Sequence, residues 1–276
     1  MHSSLLVFKN FLYLKIATIL VVSCLLAYLI HEPLGKPNGG SWLGYTLGVV
    51  SLVLIVWLAW YGIRKRRYGS GKLVLEDWAS AHVYLGVALL IIATLHSGFQ
   101  FGFNIHTLAY IFMIIVVSSG LFGLYAYVRY PKLRTINRGE ATVGDVWELV
   151  ASMSSECLSI AQNLNDEVYS LVEDADKKTV LGGSLLKQLS GNDKNCSTTN
   201  ALEKIKELAV DFSGDEAESS RKLVTIMARK VELLNRIRKD IKYKAWLDVW
   251  LYVHVPFTIA LLVALVIHIL VVFLYW

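Results

Sequence analysis

The sequence predicts an all-α protein: a polytopic membrane helix bundle of five transmembrane helices with a cytoplasmic helical insertion. Three observations predict it. The chain is 55% hydrophobic with a mean hydropathy of +0.50, more apolar than a soluble domain of 276 residues usually is. Five stretches stay apolar over about 20 residues, the length that crosses a bilayer core. Finally, a Trp-x3-His-Val-x12-His pattern occurs twice, 172 positions apart, each time in such a stretch.

The first span covers 11–30. Val21-Val22-Ser23-Cys24 loosely resembles a lipoprotein cleavage box, but Leu25 to Ile30 continue the apolar run, so the span is expected to remain uncleaved. The second covers 43–63 and is followed by Arg64, Lys65, Arg66, Arg67 and Lys72. The third and fourth cover 79–99 and 107–128, the latter followed by Arg129, Lys132, Arg134 and Arg138. The fifth, 250–275, is preceded by Arg236, Arg238, Lys239, Lys242 and Lys244. In the loops 31–42 and 99–106 the only Lys or Arg is Lys36. The positive-inside rule therefore puts the N-terminus and 129–245 in the cytoplasm and the C-terminus outside. Trp42, Trp78, Trp250 and Trp276 fall at the expected interfaces. In this setting the net charge of +5 and the pI of about 9.0 reflect basic membrane flanks, and no nucleic-acid partner is expected.

Three domains follow: 1–131 with spans one to four, 132–245 as the insertion, and 246–276 as span five. In the insertion, Val146, Leu149, Val150, Met153, Cys157, Ile160, Leu164, Val168 and Leu171 recur at helical spacing, as do Leu223, Ile226, Met227, Val231, Leu234, Ile237 and Ile241. The glycine- and asparagine-containing stretch 175–198 reads as loop, and a shorter helix is expected over 199–211. This predicts an antiparallel helical hairpin whose second arm runs into span five. It holds no phosphate-binding glycine loop, zinc spacing or paired catalytic acids, which suits a structural or docking role. Cys24, Cys157 and Cys196 are far apart and form neither C-x-x-C nor C-x-x-C-H, so thiol redox chemistry and covalent haem attachment are not supported.

The repeated pattern carries the chemistry. Its copies are Trp78, His82, Val83, His96 and Trp250, His254, Val255, His268. A separation of 14 residues brings the second His back to nearly the same helix face, about 21 Å along the axis. Spans three and five run in the same direction, so His82 falls level with His254 and His96 with His268. An intramembrane His is costly without a partner or ligand. Two His–His pairs suit two haems ligated by imidazole on both sides, which exchange electrons rather than bind oxygen. The second ring nitrogen of each His then needs an acceptor, expected to be a backbone carbonyl one turn back.

Neighbouring residues fit a flat macrocycle. Gly86 follows His82 by four residues on the same face, and Ala93 and Ala264 are small positions near the outer pair. Leu89 is expected to pack between the two rings. Ser118, Ser119, Gly120 and Gly123 give span four a surface for close helix packing. Trp78 and Trp250 precede the inner His pair by one turn and are candidates to cap the inner haem or donate to a propionate. Pro256 is expected to free a carbonyl and bend its helix. His31 and His106 lack partners at the 14-residue spacing and read as interfacial, while His2 is terminal. Asp77 and Asp248 read as helix-end charges or as proton acceptors for a quinol.

His-x13-His on two helices resembles the transmembrane di-haem cytochrome b superfamily. The stretches Ala81-His82-Val83-Tyr84-Leu85-Gly86 and Leu95-His96-Ser97-Gly98 are most like its ferric-reductase-like and small bacterial cytochrome b types. The resemblance covers spans three to five. It implies two haem b, with His82/His254 as inner and His96/His268 as outer axial ligands, in a bacterial plasma membrane. No flavin or nicotinamide domain follows span five in these 276 residues. The resemblance therefore implies an electron-transfer subunit of an oxidoreductase complex rather than a complete enzyme, with no catalytic residue of its own. Its partners would be membrane lipid, other redox subunits, a periplasmic cytochrome c and a cytoplasmic flavin or iron–sulfur protein. One alternative is an anchor subunit that reacts with quinone. Another is a haem-free membrane sensor or scaffold whose His residues bond between helices.

Overall fold

The computed structural model describes residues 6–33, 35–66, 75–138, 142–193 and 195–274. Among them the chain is helical, without a strand: α1 Phe8–Ile30, α2 Trp42–Arg66, α3 Leu75–Ser97, α4 Ile105–Arg138, α5 Val143–Ala161, α6 Asp166–Lys178, α7 Leu185–Ser190, α8 Ser197–Leu208 and α9 Gly214–Leu274. His2, Arg67, Lys72 and Trp276 lie outside the described residues, as do the side chains of Arg64, Lys65, Arg66 and Arg138. Two compact units form, one from Met1–Tyr125 with Trp250–Trp276 and the other from Ala126–Val249.

The first unit contains the apolar spans. Among the described residues five helices are long and apolar enough to cross a membrane. Only 11% of the α1 window is buried, against 33% for α3, so α3 is the most enclosed span and α1 mostly faces outward. Leu29, Ile30, Val49, Val53, Ile259, Val263 and Phe273 are all exposed. Such a surface would not stay dispersed in water, whereas lipid solvates it and each helix satisfies its own backbone groups.

Two clusters hold the spans together. Cys24, Leu43, Leu47, Ile92 and Leu95 join α1, α2 and α3. Ile55, Leu58, Leu89, Met113 and Leu261 join α2, α3, α4 and α9. Leu89 is 3% exposed and belongs to this second cluster, between the depths of His82 and His96. Asp77, a charge at the helix end of α3 as expected, is buried there: Tyr13 donates to it at 3.0 Å and Lys9 lies 3.4 Å away, which ties α1 to α3.

The second unit differs from the expected hairpin in its first arm. The arm breaks between Ala161 and Asp166, because the Asn165 side chain accepts from Val168 N–H at 2.8 Å and starts a new helix. The stretch 175–198 is not all loop either, since it contains the end of α6 and the short α7, which Ser184 caps. Thr142 and Asp145 form a capping box at the start of α5. Hydrogen bonds from the Thr142 backbone and side chain hold the Asp145 carboxyl below its ordinary pKa. Cys157, Val168, Val172, Ile205, Leu223 and Met227 form a shared core for α5, α6, α8 and α9.

The fourth span also extends further than expected, as α4 continues through Pro131 to Arg138. An interior proline costs about 3 kcal/mol. Tertiary bonds help offset it: Arg134 grips Asp240 through two bonds of 2.9 and 3.0 Å, and Asn137 donates to the Arg236 carbonyl at 2.6 Å. The expected continuity of the insertion's last arm with span five is present, since α9 is one helix of 61 residues. It remains helical through Pro256.

Candidate functional site

The site is built from the residues that surround each histidine of the repeat. His96 closes α3, and its Nδ1 lies 2.7 Å from the Gly44 carbonyl of α2. A carbonyl only accepts, so Nδ1 carries the hydrogen and Nε2 keeps its lone pair. Glycines admit the ring here. A Cβ at Gly48 would stand 2.9 Å from the His96 Cε1, and one at Gly39 would stand 3.2 Å from it.

His268 of α9 meets His96 edge to face, with ring centroids 6.1 Å apart and planes at 83°. The structure therefore brings His96 to His268, the partner expected for spans that run in the same direction. His268 does not stand alone with His96. His106, at the start of α4, is hydrogen-bonded to it through the two Nδ1 atoms, with ring centroids 4.5 Å apart. His106 lies in the first turn of α4, at the span end where it is expected, and the fold supplies the partner that it lacks at the 14-residue spacing. The fold joins residues 162 positions apart, a pairing that the 14-residue periodicity cannot register.

At the inner level His254 of α9 lies against α4. Ser119 gives its hydroxyl hydrogen to the Val116 carbonyl at 2.9 Å, so its oxygen accepts from His254 Nδ1, also at 2.9 Å. Gly120 leaves room for the same ring, since a Cβ there would come within 3.4 Å of Cε1. His82 of α3 lies against Tyr61 of α2, at 4.9 Å between ring centroids. Trp78 stacks on Trp57 at 4.9 Å and 17°. Trp250 tilts toward His254 at 5.9 Å, and its indole occupies the space where Gly123 lacks a side chain.

For His96, His254 and His268 the partners of Nδ1 are thus not carbonyls one turn back. A carbonyl within a helix already holds its own N–H, and an imidazole that projects from that helix reaches the neighbouring helix more easily. Gly44, Ser119 and His106 supply these contacts. Gly44 and Gly48 carry a legible signal, a small-x3-small pair on one face of α2.

The donor set can be tested against a bis-imidazole metal. Two imidazoles bound through nitrogen at about 2 Å each place their ring centroids roughly 6 Å apart. The His96–His268 separation of 6.1 Å fits. Among the described residues no group of three His, Cys, Asp or Glu has metal-holding geometry. An axial pair on a macrocycle needs only two protein ligands. At the inner level the features that fit are an open space beside Gly86, with nothing within 4 Å of a Cβ built there, and the buried Trp250 Nε1, a donor without a hydrogen-bond partner among the described residues. An acidic group on a ligand's edge would satisfy that indole.

No protein-family model, no curated protein and no solved structure matches this chain.

Proposed function

We propose that this chain is the di-haem b membrane subunit of a redox complex, carrying electrons across the membrane between an inner site at His82 and His254 and an outer site at His96 and His268. The observation that carries this reading is the outer pair: two imidazoles at 6.1 Å, each with its Nδ1 engaged, so that both Nε2 atoms are available to one iron. When bound, the haems would supply one-electron transfer. The protein's own residues set ligand orientation through Gly44 and Ser119, leave space at Gly48, Gly86 and Gly120, and exclude water with Leu89 and its neighbours. Trp250 offers its buried N–H to a propionate. Redox partners on the two sides, among them a periplasmic cytochrome c and a cytoplasmic flavin or iron–sulfur protein, belong to the same proposal, as does a bacterial plasma membrane.

The test is a reduced-minus-oxidised spectrum of the purified protein with pyridine haemochrome quantification. The expected result is two haem b per chain, falling to one when His96 or His268 is replaced by alanine. A folded, helical protein without haem would overturn the reading and favour a sensor or scaffold. A quinone-reacting anchor has one observation on its side, the buried carboxylate of Asp77 with its bond from Tyr13. Insensitivity of electron transfer to quinone-site inhibitors and to Asp77→Asn would remove it.

A further inference from the structure

We infer that His106 is a positioning residue for the outer site: it accepts the Nδ1 hydrogen of His268 and so fixes which nitrogen of His268 faces the metal. This rests on the di-haem reading. His106 and His268 are bonded Nδ1 to Nδ1, with their rings at 89°. Each neutral imidazole has one donor and one acceptor nitrogen. A His268 that offers the Nε2 lone pair to iron carries its hydrogen on Nδ1, and His106 must then present a bare Nδ1 and keep its own hydrogen on Nε2. His106 sits at the first turn of α4, beside neither copy of the repeat. The bond therefore couples the fourth span to the outer site. The two outer ligands differ in consequence: His96 donates to a backbone carbonyl, a fixed acceptor, whereas His268 donates to a side chain that substitution can remove.

Removal of an orienting partner typically costs about 10–100-fold in metal affinity. It also makes the ligand less electron-rich, which favours the reduced iron. The test compares His106→Phe, which keeps a ring but no acceptor, with His106→Gln, whose amide oxygen accepts. Both are read by redox titration of the α-band and by electron paramagnetic resonance of the oxidised protein. The outer component is assigned as the one missing from His96→Ala. The expected result for His106→Phe is an outer potential shifted upward with an altered low-spin signal, or outer haem lost during purification. The inner component should be unchanged, which serves as the control for folding, and His106→Gln should restore the wild-type outer signal. Phe and wild-type proteins with the same outer potential and resonance would overturn the inference. So would loss of the outer haem in both variants to the extent seen in His268→Ala, which would make His106 a ligand. Wild-type protein without haem overturns the di-haem reading itself, and is distinguished by needing no variant.

Discussion

Replacing Gly48 by alanine sets two effects of opposite sign against each other. In a helix, Gly to Ala is favourable by about 1 kcal/mol, because glycine loses more backbone freedom on folding. At Gly48, however, the new Cβ would stand 2.9 Å from His96 Cε1 and 3.1 Å from Nδ1. Carbon atoms rest at about 3.5 Å, so the ring must retreat by roughly half an ångström. The bond from Nδ1 to the Gly44 carbonyl, now 2.7 Å, would stretch toward the end of the hydrogen-bonding range. A displacement of about 0.5 Å is also the tolerance of a preorganised ligand site. Gly62, on the same helix, has nothing within 4 Å of a built Cβ and is the control. The assay is a thermal melt in detergent together with haemochrome quantification. Gly62→Ala should melt at or above the wild-type temperature with full haem content. Gly48→Ala should lose the gain in stability and several-fold of the outer haem. Equal behaviour of the two variants would refute the claim that α2 shapes the His96 site.

Two further predictions concern the second unit. Lys230 is almost fully buried and bonded to Asp176 at 2.7 Å, while Asp176 is 40% exposed and also accepts from Ser154. Burial raises the Asp176 pKa, but the bonds from Lys230 and Ser154 outweigh it and the net shift is downward. A carboxyl with a depressed folded pKa contributes stability above its unfolded value, and loses that contribution as pH falls through the folded one. Asp176→Asn should therefore destabilise the protein by roughly 2 kcal/mol at neutral pH, less than for a fully buried pair, and flatten the acid limb of the stability profile. Chemical denaturation at several pH values between neutral and acid checks this, and an unchanged profile would argue against the pair. Burial pushes the Cys157 thiol up to about 11, so at pH 8 it should resist a maleimide in the folded protein and react once unfolded. Mass spectrometry of trapped thiols distinguishes the two cases.

Much of this architecture is legible from local physics. The five apolar runs, the continuity of the last arm into span five and the two His-x13-His ladders are all read from hydropathy and helical period. The misreadings have causes of a different kind, one local and one not. Apolar periodicity continues from Ile160 through Leu164 to Val168, so the break there is visible only in Asn165, a capping residue whose effect is a single side-chain bond. The apolar run of span four ends at 128, whereas α4 continues to Arg138, where Arg134 bonds Asp240 across 106 positions.

By itself, the sequence determined the number of spans, the helical class and the faces on which the four histidines lie, because each depends on periodicity within one segment. Only the tertiary structure decided the neighbours of those histidines: the Gly44 carbonyl at His96, the Ser119 hydroxyl at His254 and the His106 ring at His268. The physical reason is that a hydrogen-bond partner is chosen by distance in space. Helix packing sets that distance between residues 52, 135 and 162 positions apart, where no repeat within either helix can show it.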